Sequence, residues 1–356
     1  MPDLRQFLHL SRYAGERFDL VQAGGGNSSL KLDDGTMLIK ASGFSLSEVS
    51  AKKGYAKVCL DKVLGILSHE PLLAIGDKRE QEALASTMMR ETLLDSGAKP
   101  SIETFLHALL DKVTLHTHPL AVNAITCRPD WAEILTELFP EALLVPYQTP
   151  GFNLAVELKN WLDRYVLHHG AKPRIVFLQN HGLIVSEMDA PAVRQTTETV
   201  LDRIEAFLGV DLGRHKLVTC LSDHFEGMGD RPVVYLSLDS ELARLVEEVD
   251  PDRLARHFCP DVFVFCGFSP LWLDDLANPA PLKDYETRYH ELPKVILYSG
   301  MVFFLADSIR KAKEIEDVFR FHVMTLVMAG PDVSALEGEE LAYLANWEAE
   351  KYRQKL

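Results

Sequence analysis

Interleaved strand-like and helical patterns predict an α/β protein, with α+β the alternative. Three observations carry this reading. Short apolar runs alternate with a period of two, helical patterns lie between them, and an Asp34-Gly35 pair marks a hairpin turn. The composition, 47% apolar and 25% charged, is that of a globular chain able to bury a large core.

The elements follow in chain order. Asp3 to Tyr13 form a short helix. Ser29 to Leu32 and Met37 to Lys40 are the strands of the Asp34-Gly35 hairpin. KREQEALASTMMRETLLDSG is a helix ending near Gly97, and another begins near Ser101, just after Pro100. VTLHTH is a strand, AVNAITC opens a helix, and LLVPY is a further strand. NLAVELKNWLDRYVLHHG is a helix stopped by Gly170. RIVFLQNHGLIVS holds two apolar runs separated by a polar break at Gln179 to Gly182, and an amphipathic helix follows.

From about Leu217 to Pro281 the composition shifts to short apolar runs, prolines and acidic turns. SELARLVEEVDPDRLARHF reads as two helices broken at Asp250-Pro251. VFVFCGF, PKVILYSG and MVFFLA read as strands, with a long helix from Ser308 through Met328 and a last one over ELAYLANWEAEKYRQK. The pattern divides into a main domain, residues 1–210, and a C-terminal α/β extension packed on it, residues 211–356. No internal repeat is legible.

The net charge of -15 (37 basic against 52 acidic residues) argues against nucleic acid or an anionic membrane as partner. A small anion is still compatible, because a local nest of amides can hold phosphate in an acidic protein. The five cysteines are scattered, which argues against a disulfide scaffold and for a reducing compartment. The opening residues lack the pattern of a secretory signal, and no apolar run is long enough to span a membrane, so a cytoplasmic location is expected.

Three polar clusters interrupt the packing patterns. AGGGNSSLK, with Gly26 and Asn27, can turn amides toward an anion, and Ser42-Gly43 ends a second small loop. Flexible loops would look the same. Glu103, in the PSIET stretch with Ser101, opens a helix and lies shortly before His116 and His118. Residues two apart on a strand share a face, so these two imidazoles could begin a metal site or merely decorate a surface. His181 sits in the polar break of QNHGL. Three imidazoles suit Zn²⁺ and leave a position for water or substrate, and a nearby glutamate could move a proton; otherwise His181 closes a turn.

GGGNSS, KASG, PSIET, HTHP and QNHG, in this order, resemble the class II aldolase/adducin-like family, sugar-phosphate aldolase branch. The resemblance spans roughly Ala14 to Val210. It implies a three-layer α/β/α fold around a largely antiparallel sheet. It implies His116, His118 and His181 as ligands of a divalent metal ion, Zn²⁺ first and Mn²⁺ or Co²⁺ next. Glu103 then matches the catalytic acid/base. Gly26, Asn27, Ser42, Gly43 and Ser101 match the loops that hold substrate phosphate, although Ile102 stands where a second serine is usual. The implied activity is a metal-dependent aldolase (a lyase) acting on a phosphorylated sugar or related polyol, in a homo-oligomer that the family suggests is a tetramer. Epimerase, decarboxylase or dehydratase chemistry on the same site, and an adducin-like nonenzymatic module, are the alternatives. Residues from Pro293 to Gly330 also resemble the aldolase region of aldolase–short-chain-dehydrogenase fusions.

Overall fold

The computed structural model describes residues 2–95, 98–226, 228 and 231–346. Contacts group the chain into two compact units, Met1–Gly213 and Arg214–Leu356.

The first unit is built on a seven-stranded sheet of order β3-β2-β1-β4-β7-β6-β5. Its strands are β1 (Asn27–Lys31), β2 (Thr36–Lys40), β3 (Tyr55–Cys59), β4 (Val113–Thr117), β5 (Leu143–Val145), β6 (Ile175–Leu178) and β7 (Gly182–Glu187). Every pairing is antiparallel except β5 with β6. Helices α1 (Pro2–Gly15), α6 (Leu120–Thr126), α7 (Trp131–Leu138) and α9 (Ala190–Leu208) bury one face, with Leu115, Leu183 and Val185. Helices α2 (Leu60–Ile66), α3 (Glu70–Leu73), α4 (Lys78–Arg90), α5 (Thr104–Leu109) and α8 (Phe152–His169) bury the other, with Ile39, Val176 and Ile184. The alternation of Leu183, Ile184 and Val185 between the two cores is the period of two at work. The result is the three-layer α/β/α arrangement with a largely antiparallel sheet.

The N-terminal helix is tied down by an ionic cluster. Arg17 is fully buried and is held by Asp19 and, from α9, by Glu198. A buried guanidinium is tolerated only when so paired. The same segment fixes backbone near the site, because the Leu20 carbonyl accepts from His118 N at 2.9 Å and the Asp19 carbonyl accepts from Leu120 N at 2.9 Å.

The second unit has a four-stranded sheet of order β8-β11-β10-β9. It runs α10 (Gly213–Asp223), β8 (Val233–Leu236), α11 (Ser240–Glu248), α12 (Pro251–Leu254), α13 (Pro260–Cys266), β9 (Leu271–Trp272), α14 (Ala280–Tyr289), β10 (Val295–Tyr298), β11 (Met301–Ala306), α15 (Ile309–Ala329) and α16 (Gly338–Asn346). One sheet face packs on α11, α13 and α15, the other on α10 and α14. No helix among the described residues is long and apolar enough to cross a membrane.

Four expectations are corrected. VFVFCGF is helical, not a strand. Pro260 starts α13 and Gly267, at φ +77°, stops it, and an uninterrupted apolar run reads alike in either state. Helix α4 ends at Arg90, because the chain then joins the edge strand, with Thr92 O accepting from Cys59 N at 2.9 Å and Leu94 N donating to Lys57 O at 3.0 Å. Its expected stop, Gly97, lies outside the described residues, as do residues 347–356 of the expected last helix. Helix α5 begins at Thr104, preceded by a turn in which Thr104 N donates to Ser101 O. Finally, a repeat does exist at the level of topology: β8-β11-β10-β9 reproduces the order β4-β7-β6-β5.

Candidate functional site

The long-range pairing of β4 with β7 creates the site. His116 sits opposite Ile184 in that ladder, and His118 follows one residue beyond the end of β4. The β6–β7 turn, Gln179-Asn180-His181, is held by bonds from Gln179 N to Val145 O, Asn180 N to Thr126 O and His181 N to Leu178 O. These contacts aim His181 at the same point. His118 Nε2 lies 3.1 Å and His181 Nε2 3.3 Å from His116 Nε2. The three residues form a cluster whose ligand atoms all lie within 4.8 Å of one another.

The His116 tautomer follows from its partner. His116 Nδ1 is 3.1 Å from the Leu183 carbonyl oxygen, which can only accept, so Nδ1 carries the proton and Nε2 presents its lone pair to the cluster. Burial lowers the pKa values of both His116 and His118, which disfavours their charged forms. Tetrahedral Zn²⁺ with imidazole bonds of about 2.0–2.1 Å would separate its nitrogens by about 3.3 Å. The two observed spacings match that requirement, so the donor set fits a divalent ion.

Two glycines let the backbone close around these rings. A Cβ on Gly182 would come 2.3 Å from Thr117 O and 3.0 Å from His118 Cδ2. Gly26 has φ +72°, and a Cβ there would meet Val21 Cγ1 at 2.7 Å and His116 O at 2.9 Å.

Glu103 stands beside the cluster at the start of α5. Its Oε1 is 3.3 Å from His181 Nε2 and 3.6 Å from His116 Nε2. Its Oε2 accepts a hydrogen bond from Asn27 Nδ2. Burial pushes the Glu103 carboxyl up, but attraction to His116 and the hydrogen bond with His181 outweigh this and hold it below the usual carboxylate range. A buried carboxylate at the edge of the three-imidazole cluster is equipped to move a proton beside a bound cation.

The remaining predicted residues fall into two groups. Asn27 and Gly26 lie in the heart of the site, and the Asn27 side chain engages Glu103. Ser101 is buried, and its hydroxyl accepts from Glu103 N at 3.3 Å. Ser42 and Gly43 lie on an exposed loop joined to the Ser101 segment by Ser42 N to Lys99 O and by the Ala41–Pro100 bridge.

Two further residues stand in this neighbourhood, Lys40 of the KASG stretch, to which the sequence gives at most a binding role, and His107, to which it gives none. Lys40 is buried with its Nζ 3.2 Å from Gly24 O, and burial lowers its pKa against the attraction of Glu103 and Glu48. His107, one turn beyond Glu103, is fully buried with Nδ1 2.8 Å from Ser29 Oγ. The signal for His107 is its four-residue spacing from Glu103, which puts both on one helix face.

The N-terminal class II aldolase domain of a conserved protein from Thermoplasma acidophilum is 25% identical, with a TM-score of 0.49, over 58% of this chain and 93% of that one. YgbL of Escherichia coli, an aldolase/epimerase/decarboxylase candidate, is 21% identical with a TM-score of 0.41, over 59% and 92% of the two chains. The l-fuculose-1-phosphate aldolase of Thermus thermophilus is 15% identical with a TM-score of 0.37, over 57% and 94%. No curated protein matches the chain. Residues 5–208, more than half of the chain, match the family model for the Class II Aldolase and Adducin N-terminal domain. The chain therefore belongs to the class II aldolase and adducin family.

Proposed function

We propose that the protein is a metal-dependent aldolase that breaks or forms a carbon–carbon bond of a ketose phosphate through an enediolate. The observation that carries this reading is the Glu103 carboxylate, buried 3.3 Å from His181 Nε2 at the edge of a three-histidine cluster. His116, His118 and His181 would hold a divalent ion, Zn²⁺ by the donor set. When bound, such an ion supplies Lewis acidity that stabilises negative charge on the substrate's enediolate oxygens.

The chain's own groups do the rest. Glu103 takes the proton from the nascent nucleophilic carbon in bond formation and returns it after cleavage. Asn27 orients that carboxylate by its hydrogen bond. Ser42, Gly43 and Ser101, with the Gly26 loop, bind the substrate phosphate, and Lys40 adds positive charge beside them. A homo-oligomer, a tetramer on the family pattern, belongs to the same proposal and is read by light scattering.

A second reading, epimerase or decarboxylase chemistry, draws on the same observation, because a carboxylate beside a cation site serves any reaction through an enediolate. The presence of all three imidazoles and Glu103 favours an enzyme over an adducin-like interaction module. A retro-aldol screen of phosphorylated and unphosphorylated ketoses on metal-loaded protein, read by product mass, separates these. Release of a three-carbon fragment supports the aldolase. An isomeric product of unchanged mass, or loss of CO₂, supports the second reading. Protein that neither carries nor takes up Zn²⁺ or Mn²⁺ supports the interaction module.

A further inference from the structure

The shared strand order of the two units extends to strand direction and to the placing of the flanking helices. In the first unit β5 pairs β6 in parallel, and β6–β7 and β7–β4 are antiparallel. In the second, β9 pairs β10 in parallel, and β10–β11 and β11–β8 are antiparallel. The helices agree as well. α6, α7 and α9 share one face while α5 and α8 take the other; α11, α13 and α15 share one face while α10 and α14 take the other.

Outside their turns the hairpins agree strand residue by strand residue. Pro173-Arg174 leads into the first and Pro293-Lys294 into the second. Ser186 N donates to Arg174 O at 3.0 Å, and Leu305 N donates to Lys294 O at 3.0 Å. Asn180 and Ser299 hold the left-handed turn position at φ 52° and 48°. The helix after each hairpin is capped alike, with Asp189 accepting from Ala192 N and Ser308 from Lys311 N.

This register locates the counterparts of the metal ligands. The first hairpin closes at Leu178–Gly182 and the second at Tyr298–Met301. Counting two residues on, Ile184 corresponds to Phe303. His116 pairs with Ile184, and Leu236 pairs with Phe303. Leu236 therefore occupies the place of His116, and Leu238 that of His118. Leu236 is buried in the apolar core with Val218 and Leu221 of α10. The turn that presents His181 shrinks from Gln179-Asn180-His181 to Ser299-Gly300.

We infer that the C-terminal unit is a second copy of the metal-binding half of the first, a vestigial site whose ligand positions are taken by Leu236, Leu238 and the Ser299-Gly300 turn. The inference rests on the reading of the first cluster as a metal site. The scaffold for three converging imidazoles persists, and apolar packing has replaced the donors.

The test is a graft in the full chain: L236H and L238H, with Ser299-Gly300 replaced by Gln-Asn-His. Co²⁺ alone is titrated and followed by its visible d–d absorption. The wild type is expected to take one equivalent per chain and the graft a second, retained when H116A and H118A remove the first site. A milder variant, L238H with the same turn, avoids the buried position and is expected to gain a weaker second site. A control, Y235H and S237H with the same turn, puts imidazoles on the opposite strand face and is expected to gain none.

A folded graft that binds no more Co²⁺ than the wild type overturns the inference, as does an equal gain in the control. A second equivalent already bound by the wild type, and lost in L238A, overturns it too. A wild type that binds no ion fails the earlier metal reading, and the copy is then judged by the graft's increment alone.

Discussion

The β6–β7 and β10–β11 hairpins carry equivalent ladders and capped helices but different turns. Three residues in the first present an imidazole; two in the second only reverse the chain. The strand beside each hairpin differs in the same sense, with His116 in one and Leu236 in the other, both buried. Ladder bonds use backbone atoms and the layers use apolar alternation, so neither depends on the ligand side chains. Architecture and chemistry are separable here, and the separation runs along strand ends and turns.

The comparison is broken most sharply at His116. His116→Ala is expected to remove metal and turnover together, beyond the about 10- to 100-fold that loss of an outer-shell partner costs a metal site. Elemental analysis alongside kinetics checks this, and full metal occupancy in the variant would end the assignment. Glu103→Gln comes next. It should cut turnover by about 10²- to 10⁴-fold while leaving metal content unchanged, the usual range for a positioned acid/base group. Near-normal turnover in the loaded variant would remove Glu103 from the mechanism.

Ser42→Ala is expected to weaken binding of a sugar phosphate by about 1.5–3 kcal/mol and of the matched free sugar much less. Asn27→Ala tests the same loop but also frees Glu103, so it should lower turnover as well as affinity. Equal losses for the two ligands with Ser42→Ala would leave the loop as a general polyol contact.

The second unit offers a pH test that leaves the histidine cluster untouched. Burial lowers the His322 pKa from 6.5 to about 4. The unfolded chain then binds more protons between these values, so stability falls as pH drops from 6.5 toward 4. His322→Gln should flatten that part of the denaturation profile, and an unchanged slope would place the acid sensitivity elsewhere. The smallest effect is expected at Leu238, which is 41% exposed. Leu238→Ala should alter stability by no more than about 0.5 kcal/mol and leave metal binding alone. His118→Ala, at the corresponding place, should impair metal binding.

Much of the first unit was legible because its signals were local. The Asp34-Gly35 turn, the Gly170 stop after α8 and the polar break before β7 each announce themselves within a few residues. The candidate ligands were legible as types in a spacing, and the family resemblance joined them into one set. Their convergence was not readable from spacing, since it depends on β4 finding β7 across the intervening helices and β5. The Asn27–Glu103 bond was hidden for the same reason. Strand β3 was missed because YAKVC offers only a weak alternation, and α13 because a run that is apolar throughout has no polar face to reveal its period. The repeat escaped because the two copies share backbone register and apolar alternation, while the residues that would draw the eye are absent from the second.

The Arg17 cluster bears on how the protein is made. The guanidinium sits at the start of the chain, and its α9 partner Glu198 is synthesised much later. The segment it anchors supplies the Leu20 carbonyl that fixes the backbone of His118. During translation, Arg17 has Asp19 as a partner but lacks Glu198 until α9 has left the ribosome. The segment beside His118 thus gains its last ionic anchor only with α9, so a nascent chain that ends within β7 would already hold all three histidines but only part of the cluster that ties Arg17 down.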